Sequence, residues 1–350
     1  MKYGLFLPTA SNGYVPSTLV PDADPTFADQ LALTRRAEDF GLDFVLAMAK
    51  FRGPHVRFPT APGETYYWEA ALEALTTSAG LLAATGSIQV IGSVGILSLH
   101  PAMAARMAAT CDSIAPGRFG LNVVTGWNPL EYSQMGLWPG DEYFGYRYDY
   151  AREYVTVLRE LWATGTSDFT GMHFQLEDCR ALPRPVGRIP IVCAGSSAGG
   201  RTFAAECGDV NFTSVEGADA AAADLHERAA TRGRVVETNV LLTVVLADTD
   251  EEAWARIDRL NEYTDQAALA GRKASAARDT VSVGGTVLRT HEMRSAIEPS
   301  TVFAGSAGTV ARRLREFTAA GLVEGVSLQF DDFTDGLERF GRDVLPRLHG

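Results

Sequence analysis

Basic residues are scarce in this chain: 31 Lys and Arg stand against 43 Asp and Glu in 350 residues, a formal charge of −12. A surface that follows phosphates needs the reverse balance, so nucleic acid is not an expected partner. Long apolar runs are missing too. No stretch approaches the ~18 residues of a transmembrane helix, so no membrane association is expected. The apolar start, residues 1–8, is too short for a secretory leader and ends in Pro8. A cytoplasmic protein is the expectation.

Cysteine is sparse. Cys111, Cys179, Cys193 and Cys207 have neither CxxC nor metal-ligand spacing and read as packed free thiols. The six histidines show no HxxxH or HExxH, and no carboxylate cluster has ligand periodicity, so no metal is expected. Also absent are a GxSxG elbow, a dinucleotide GxGxxG and a P-loop. With these chemistries removed, the reactive group is expected to arrive with a cofactor, the protein supplying orientation and polarity.

What the chain does have is 46% hydrophobic residues in a regular rhythm, enough for a large core. Strand patterns at 3–8, 43–47, 88–94, 119–124, 189–194, 210–214, 239–246 and 325–330 alternate with helical patterns. The helices are expected at 25–40, 68–84, 101–114, 146–162, 199–207, 218–231, 251–269 and 308–320. Fully apolar strands suit a parallel sheet covered on both faces. The number of βα units predicts an α/β fold, a (β/α)8 TIM barrel in one domain over 1–350; a doubly wound open sheet is the alternative. The apolar helix faces around 72–82 and 102–109 are core or interface, and a homo-oligomer is expected.

Segments 9–24, 50–67 and 125–145 each follow a strand and are therefore long βα loops, which in a barrel gather at the face where active sites form. Segment 271–299 is polar and without period, and reads as an insertion or lid. The turn Ala194-Gly195-Ser196-Ser197-Ala198-Gly199-Gly200 joins a strand to a helix. It is either an anion cradle at a positive helix end or a tight turn that needs small residues. The loop 124–132 combines Trp127, Asn128 and Glu131, a set suited to a planar heterocycle. Asn122 places an amide inside the barrel, where it needs a partner or a ligand. Arg147 pairs either with a phosphate or with a neighbour such as Asp149.

At these residues the chain resembles the bacterial-luciferase-like flavin-dependent monooxygenases, and within them most closely the members that open the uracil ring. The resemblance is carried by Lys2-Tyr3-Gly4-Leu5-Phe6-Leu7-Pro8, by Ala104-Ala105-Arg106-Met107-Ala108-Ala109-Thr110, and by Val124-Thr125-Gly126-Trp127. It is most specific at Tyr132-Ser133-Gln134-Met135-Gly136-Leu137-Trp138-Pro139-Gly140-Asp141 and returns at Phe330-Asp331-Asp332-Phe333. It covers 1–213 and 300–345 and weakens between them. Ala49 stands where the family has a bulkier apolar residue, and Ser196 where it has Gln.

The resemblance implies a luciferase-like barrel that binds reduced FMN, delivered by a separate NADH-dependent flavin reductase, and uses O2 as co-substrate. The family's FMN contacts fall on Ala49, Lys50, Asn122, Glu131, Arg147, Tyr148 and Ser197. Of these, Arg147 and Ser197 are expected at the phosphate. The implied reaction oxygenates a carbonyl or amide carbon of a small cyclic amide such as uracil, with C–N cleavage through a flavin peroxide. Asn122 and Thr125 are the expected catalytic donors to the developing oxyanion. The alternatives are a related oxygenase acting on a sulfone, a halogenated phenol or a natural-product amide, and a flavin- or deazaflavin-binding protein without oxygenase activity.

Overall fold

The computed structural model of the chain describes residues 1–281, 290 and 292–349. Among them, eight parallel strands close into a barrel: β1 (Lys2–Leu7), β2 (Phe44–Ala47), β3 (Gln89–Gly95), β4 (Phe119–Val124), β5 (Ile191–Cys193), β6 (Val210–Ser214), β7 (Glu237–Leu246) and β8 (Gly325–Phe330). The last pairing, Lys2 with Gly325, returns to β1. The helices between strands are α1 (Phe27–Asp39), α2 (Ala74–Ala84), α3 (Pro101–Ile114), α4 (Tyr143–Thr164), α5 (Ala198–Cys207) and α6 (Ala218–Ala230). After β7 come α7 (Asp250–Glu262), α8 (Gln266–Ala277) and, before β8, α9 (Ala307–Thr318). This is the expected (β/α)8 barrel.

Strand alternation sorts the side chains into two sets. Leu5, Leu7, Val45, Val90, Leu121, Val123 and Ile191 face outward and pack with helix residues such as Leu82, Ala108 and Leu158. Phe44, Leu46, Ile91, Val192 and Phe212 fill the interior. Gly4 makes that filling possible, since a Cβ there would lie 2.3 Å from the Phe44 ring. The helix faces at 72–82 and 102–109 contribute Leu75, Leu81, Leu82, Ala104, Ala105 and Ala108 to the main core.

Three boundaries differ from the pattern. The helix expected from 68 starts at Ala74, because the Glu73 carboxylate caps it by accepting from the N–H groups of Leu75 and Thr76. The helix expected over 251–269 is two: α7 ends at Glu262, and Asp265 starts α8 by accepting from the Ala268 N–H at 2.9 Å. The segment 271–299 therefore begins as helix, through Ala277, while 282–289 and 291 lie outside the described residues. A ninth strand, Val302–Gly305, was not anticipated. It pairs with the upper half of β7, Val302 beside Thr243, above the part of β7 that pairs with β6.

The cysteines are all free thiols. Burial pushes Cys111 up to about 12, Cys207 to about 11 and Cys193 well above the ordinary thiol range, so these three are inert. No helix among the described residues is long and apolar enough to cross a membrane.

Candidate active site

A cavity of about 530 Å³ opens where the strands end, and Ala49, Lys50, Asn122, Thr125, Glu131, Arg147, Tyr148 and Ser197 all line it. Eight positions singled out along 149 residues of sequence thus share one hollow, because each sits on or just beyond a strand end or in the first turns of a helix. No group of three or more His, Cys, Asp or Glu among the described residues could hold a metal ion.

The floor is polar where the sequence pattern is apolar. β3 and β4 run in register with Ser93 beside Asn122, and the Asn122 amide donates to Ser93 Oγ at 2.9 Å. Asn122 is buried, and its Oδ1 has no hydrogen-bond partner among the described residues. An orphaned acceptor in a barrel is costly unless a ligand completes it. Ser93 went unnoticed in the sequence because it is a single hydroxyl in an otherwise apolar strand.

One wall is a buried ion pair. Lys50, just past β2, donates to Glu131 Oε1 at 2.5 Å, and the Phe51 N–H reaches Oε2 at 3.3 Å. Glu131 belongs to the short helix Pro129–Ser133, which Asn128 caps. Lys50 Nζ also lies 4.5 Å from the Trp68 ring centre and 5.3 Å from that of Trp127. Trp68 has φ of +62°, a left-handed conformation that a bulky residue adopts only under constraint. Its ring stacks on Tyr67 at 4.5 Å and its indole N–H donates to the Gly13 carbonyl at 2.7 Å. Arg272, from α8, completes this wall, 5.2 Å from the Trp68 ring and 3.3 Å from the Tyr67 hydroxyl.

Another part of the lining brings a helix N-terminus and an arginine together, a set that can hold an anion. Ser197 caps α5 by accepting from the Gly200 N–H, and its Oγ is 3.2 Å from the Tyr148 hydroxyl. Small residues are required here: a Cβ on Gly195 would stand 2.6 Å from Gly200, and one on Gly199 would stand 3.1 Å from the Tyr148 ring. Arg147 lies beside them, its guanidinium carbon 5.0 Å from the Tyr148 ring centre. Asp149, its neighbour in sequence, pairs with Arg152 instead. Arg147 pairs with Asp279, from beyond α8, at 2.9 Å, with both side chains buried. Thr125 contributes a carbonyl held by the Tyr143 hydroxyl at 2.7 Å.

The rim is interlocked. Asp265 accepts from the Thr65 N–H at 3.0 Å and its hydroxyl at 2.6 Å, and Ser17 Oγ donates to the Leu260 carbonyl at 2.8 Å. His55 sits between Glu69, 3.2 Å from Nδ1, and Asp265, 3.7 Å from Nε2. Burial works against its charge, but the two carboxylates prevail and raise its pKa to about 9.

A closed α/β barrel with a polar, aromatic-walled cavity at the strand ends, one end of it suited to an anion, defines a cofactor-using barrel enzyme. Residues 1–324 match the luciferase-like monooxygenases, and the chain belongs to that family. Within it, the chain is 43% identical to pyrimidine monooxygenase RutA of Acinetobacter baylyi strain ADP1, covering 99% of this chain and 95% of that protein. Identity to the protein of the same name from Stutzerimonas stutzeri strain A1501 is also 43%, covering 99% and 96%. The match thus includes 214–299, where the resemblance read from the sequence had weakened. Among solved structures, riboflavin lyase RcaE, with modified FMN and riboflavin, superposes with a TM-score of 0.84 at 19% identity over 100% of this chain and 91% of that one. Long-chain alkane monooxygenase LadA gives 0.82 at 18%, covering 100% and 91%.

Proposed function

We propose that this chain is a pyrimidine monooxygenase that takes reduced FMN from a separate NADH-dependent reductase, works as a homo-oligomer of one barrel domain, and oxygenates a ring carbonyl carbon of uracil or a close relative with cleavage of the adjacent C–N bond. The observation that carries the reading is the convergence of the eight assigned residues on one cavity in a chain 43% identical to pyrimidine monooxygenases along almost its full length.

The residues fit FMN. The buried Asn122 amide has one polar atom that no described residue satisfies, and the turn at 195–197 lines the cavity together with Arg147 and Tyr148. Ala49, Lys50, Asn122, Glu131, Arg147, Tyr148 and Ser197 would hold the cofactor, with Arg147, Tyr148 and Ser197 at its phosphate. The chemistry a bound reduced flavin supplies is two-electron activation of O2. The protein's own work is then exclusion of water, orientation and charge. Trp68, Trp127 and Tyr14 line an aromatic flank that limits the water at the reacting centre. Glu131 holds Lys50 Nζ at the cavity wall.

Asn122 supplies the donor for the oxyanion that grows on the attacked carbonyl. For this its amide makes a half-turn about Cβ–Cγ, so that Ser93 Oγ–H donates to Oδ1 and Nδ2 faces the substrate. Thr125 provides a second donor at the rim. The test is turnover with a flavin reductase, NADH, FMN and uracil under 18O2, read by mass spectrometry. A ring-opened product carrying 18O supports the reading. Flavin oxidation without a labelled product, or turnover of only a sulfone or phenol, overturns it.

A further inference from the structure

We propose that Asp279 competes with the flavin phosphate for Arg147, holding the guanidinium between cofactor visits and setting how readily the cofactor exchanges. The inference rests on the reading of the cavity given above and adds to it a residue of the insertion after β7.

Arg147 is 6% exposed and Asp279 fully buried, with nitrogen and oxygen 2.9 Å apart. A guanidinium this desolvated needs a counter-charge at all times. In an enzyme whose cofactor arrives from a reductase and leaves again, no phosphate is present during part of each cycle, and Asp279 is the counter-charge the fold provides for that interval.

The carboxylate is delivered deliberately. α8 ends at Ala277, and its last turns are fastened to the loop after β4: Ser275 Oγ donates to Asn128 Oδ1 at 2.9 Å and Arg278 pairs with Asp141 at 2.6 Å. Those anchors leave Asp279, the next residue, against Arg147, which lines the cavity with Tyr148 and Ser197. A phosphate reaching Ser197 and the start of α5 meets an Arg already paired and a carboxylate that repels it. Asn in place of Asp279 removes one negative charge from beside Arg147. Removing the carboxylate therefore strengthens the grip on a phosphate and leaves a flavin without one unaffected.

The experiment measures binding of oxidised FMN and riboflavin to the full chain by fluorescence quenching, and FMN release by stopped flow, for the wild type, Asp279→Asn and Arg147→Gln. Expected are an FMN affinity raised about tenfold by Asp279→Asn, with slower release and unchanged riboflavin binding, and loss of the preference for FMN over riboflavin in Arg147→Gln. Unchanged or weakened FMN binding in Asp279→Asn, with the preference still lost in Arg147→Gln, overturns the inference and leaves the cavity reading intact. A preference that survives Arg147→Gln overturns both. Should Asp279→Asn fail to fold, Asp279→Ser removes the same charge with a smaller side chain and is scored by the same criteria.

Discussion

Two buried ion pairs border one cavity, Lys50 with Glu131 and Arg147 with Asp279, and they are built in different ways. Lys50 and Glu131 both come from the loops that follow β2 and β4, and their contact is reinforced by the Phe51 N–H and the Trp68 ring. Arg147 and Asp279 join the start of α4 to a segment beyond α8, so the second pair exists only when the insertion is in place. The first is a fixed wall of the barrel mouth. The second is a contact between barrel and insertion, at the end where an anion is expected, and its acidic member is replaceable by a ligand in a way that Glu131 is not.

The contrast predicts its own largest effect. Glu131→Gln leaves Lys50 buried without a counter-charge and is expected to cost roughly 3–5 kcal/mol of unfolding free energy in urea titrations. The double variant Lys50→Met with Glu131→Leu recovers most of that stability and no turnover. Recovery of turnover would show that the pair is scaffolding only. Next in size, between the two pairs, Asn122→Ala removes the proposed oxyanion donor and is expected to slow turnover on the order of a hundredfold, about 3 kcal/mol, with flavin affinity changed far less. An unchanged kcat assigns that step elsewhere. At the second pair, Arg147→Ala should weaken FMN binding by roughly 1.5–3 kcal/mol and leave riboflavin binding where it was. Equal losses for both flavins would erase the distinction between the two ends of the cavity.

The same contrast explains what could be read before the fold was seen. The barrel was legible because the strands are mostly short apolar runs ended by Gly, Pro or a polar loop, and Asn122, Glu131 and Ser197 were legible because they sit at or soon after the ends of those runs, whereas Lys50 came from the family resemblance alone. Asp279, Arg272 and Trp68 were not. Asp279 and Arg272 owe their positions to α8, whose first residue is set by the Asp265 cap, a local signal in Thr264-Asp265-Gln266 masked by helical spacing on both sides. Trp68 falls in a stretch with helical periodicity, yet the Glu73 cap starts the helix later and frees Trp68 to take a left-handed turn under the cavity. Periodicity reports what faces the core. It is silent about side chains that long-range loop contacts carry to a site.

The smallest expected effect concerns how firmly the insertion is held against the barrel. His55, from the loop after β2, faces Glu69 and Asp265, and the Arg52 guanidinium donates to its carbonyl at 3.0 Å. Its folded pKa, about 9, lies above the ordinary value of 6.5, so its contribution is fully present below about 6.5 and is lost as pH rises through 9. Stability should therefore decline by on the order of 2 kcal/mol between neutral pH and pH 9.5, a decline that His55→Gln removes by lowering the neutral-pH value. Urea titrations at the two pH values measure it. A slope unchanged in His55→Gln would assign the pH dependence to another group. Because Gly271 packs so closely on this loop that a Cβ would lie 2.1 Å from the Pro54 carbonyl, loosening His55 also loosens α8, which carries Arg272 and, past its end, Asp279. The second ion pair should accordingly weaken in alkaline solution while Lys50 and Glu131 remain joined, and FMN release should respond to pH through His55 even though His55 lies outside the cavity.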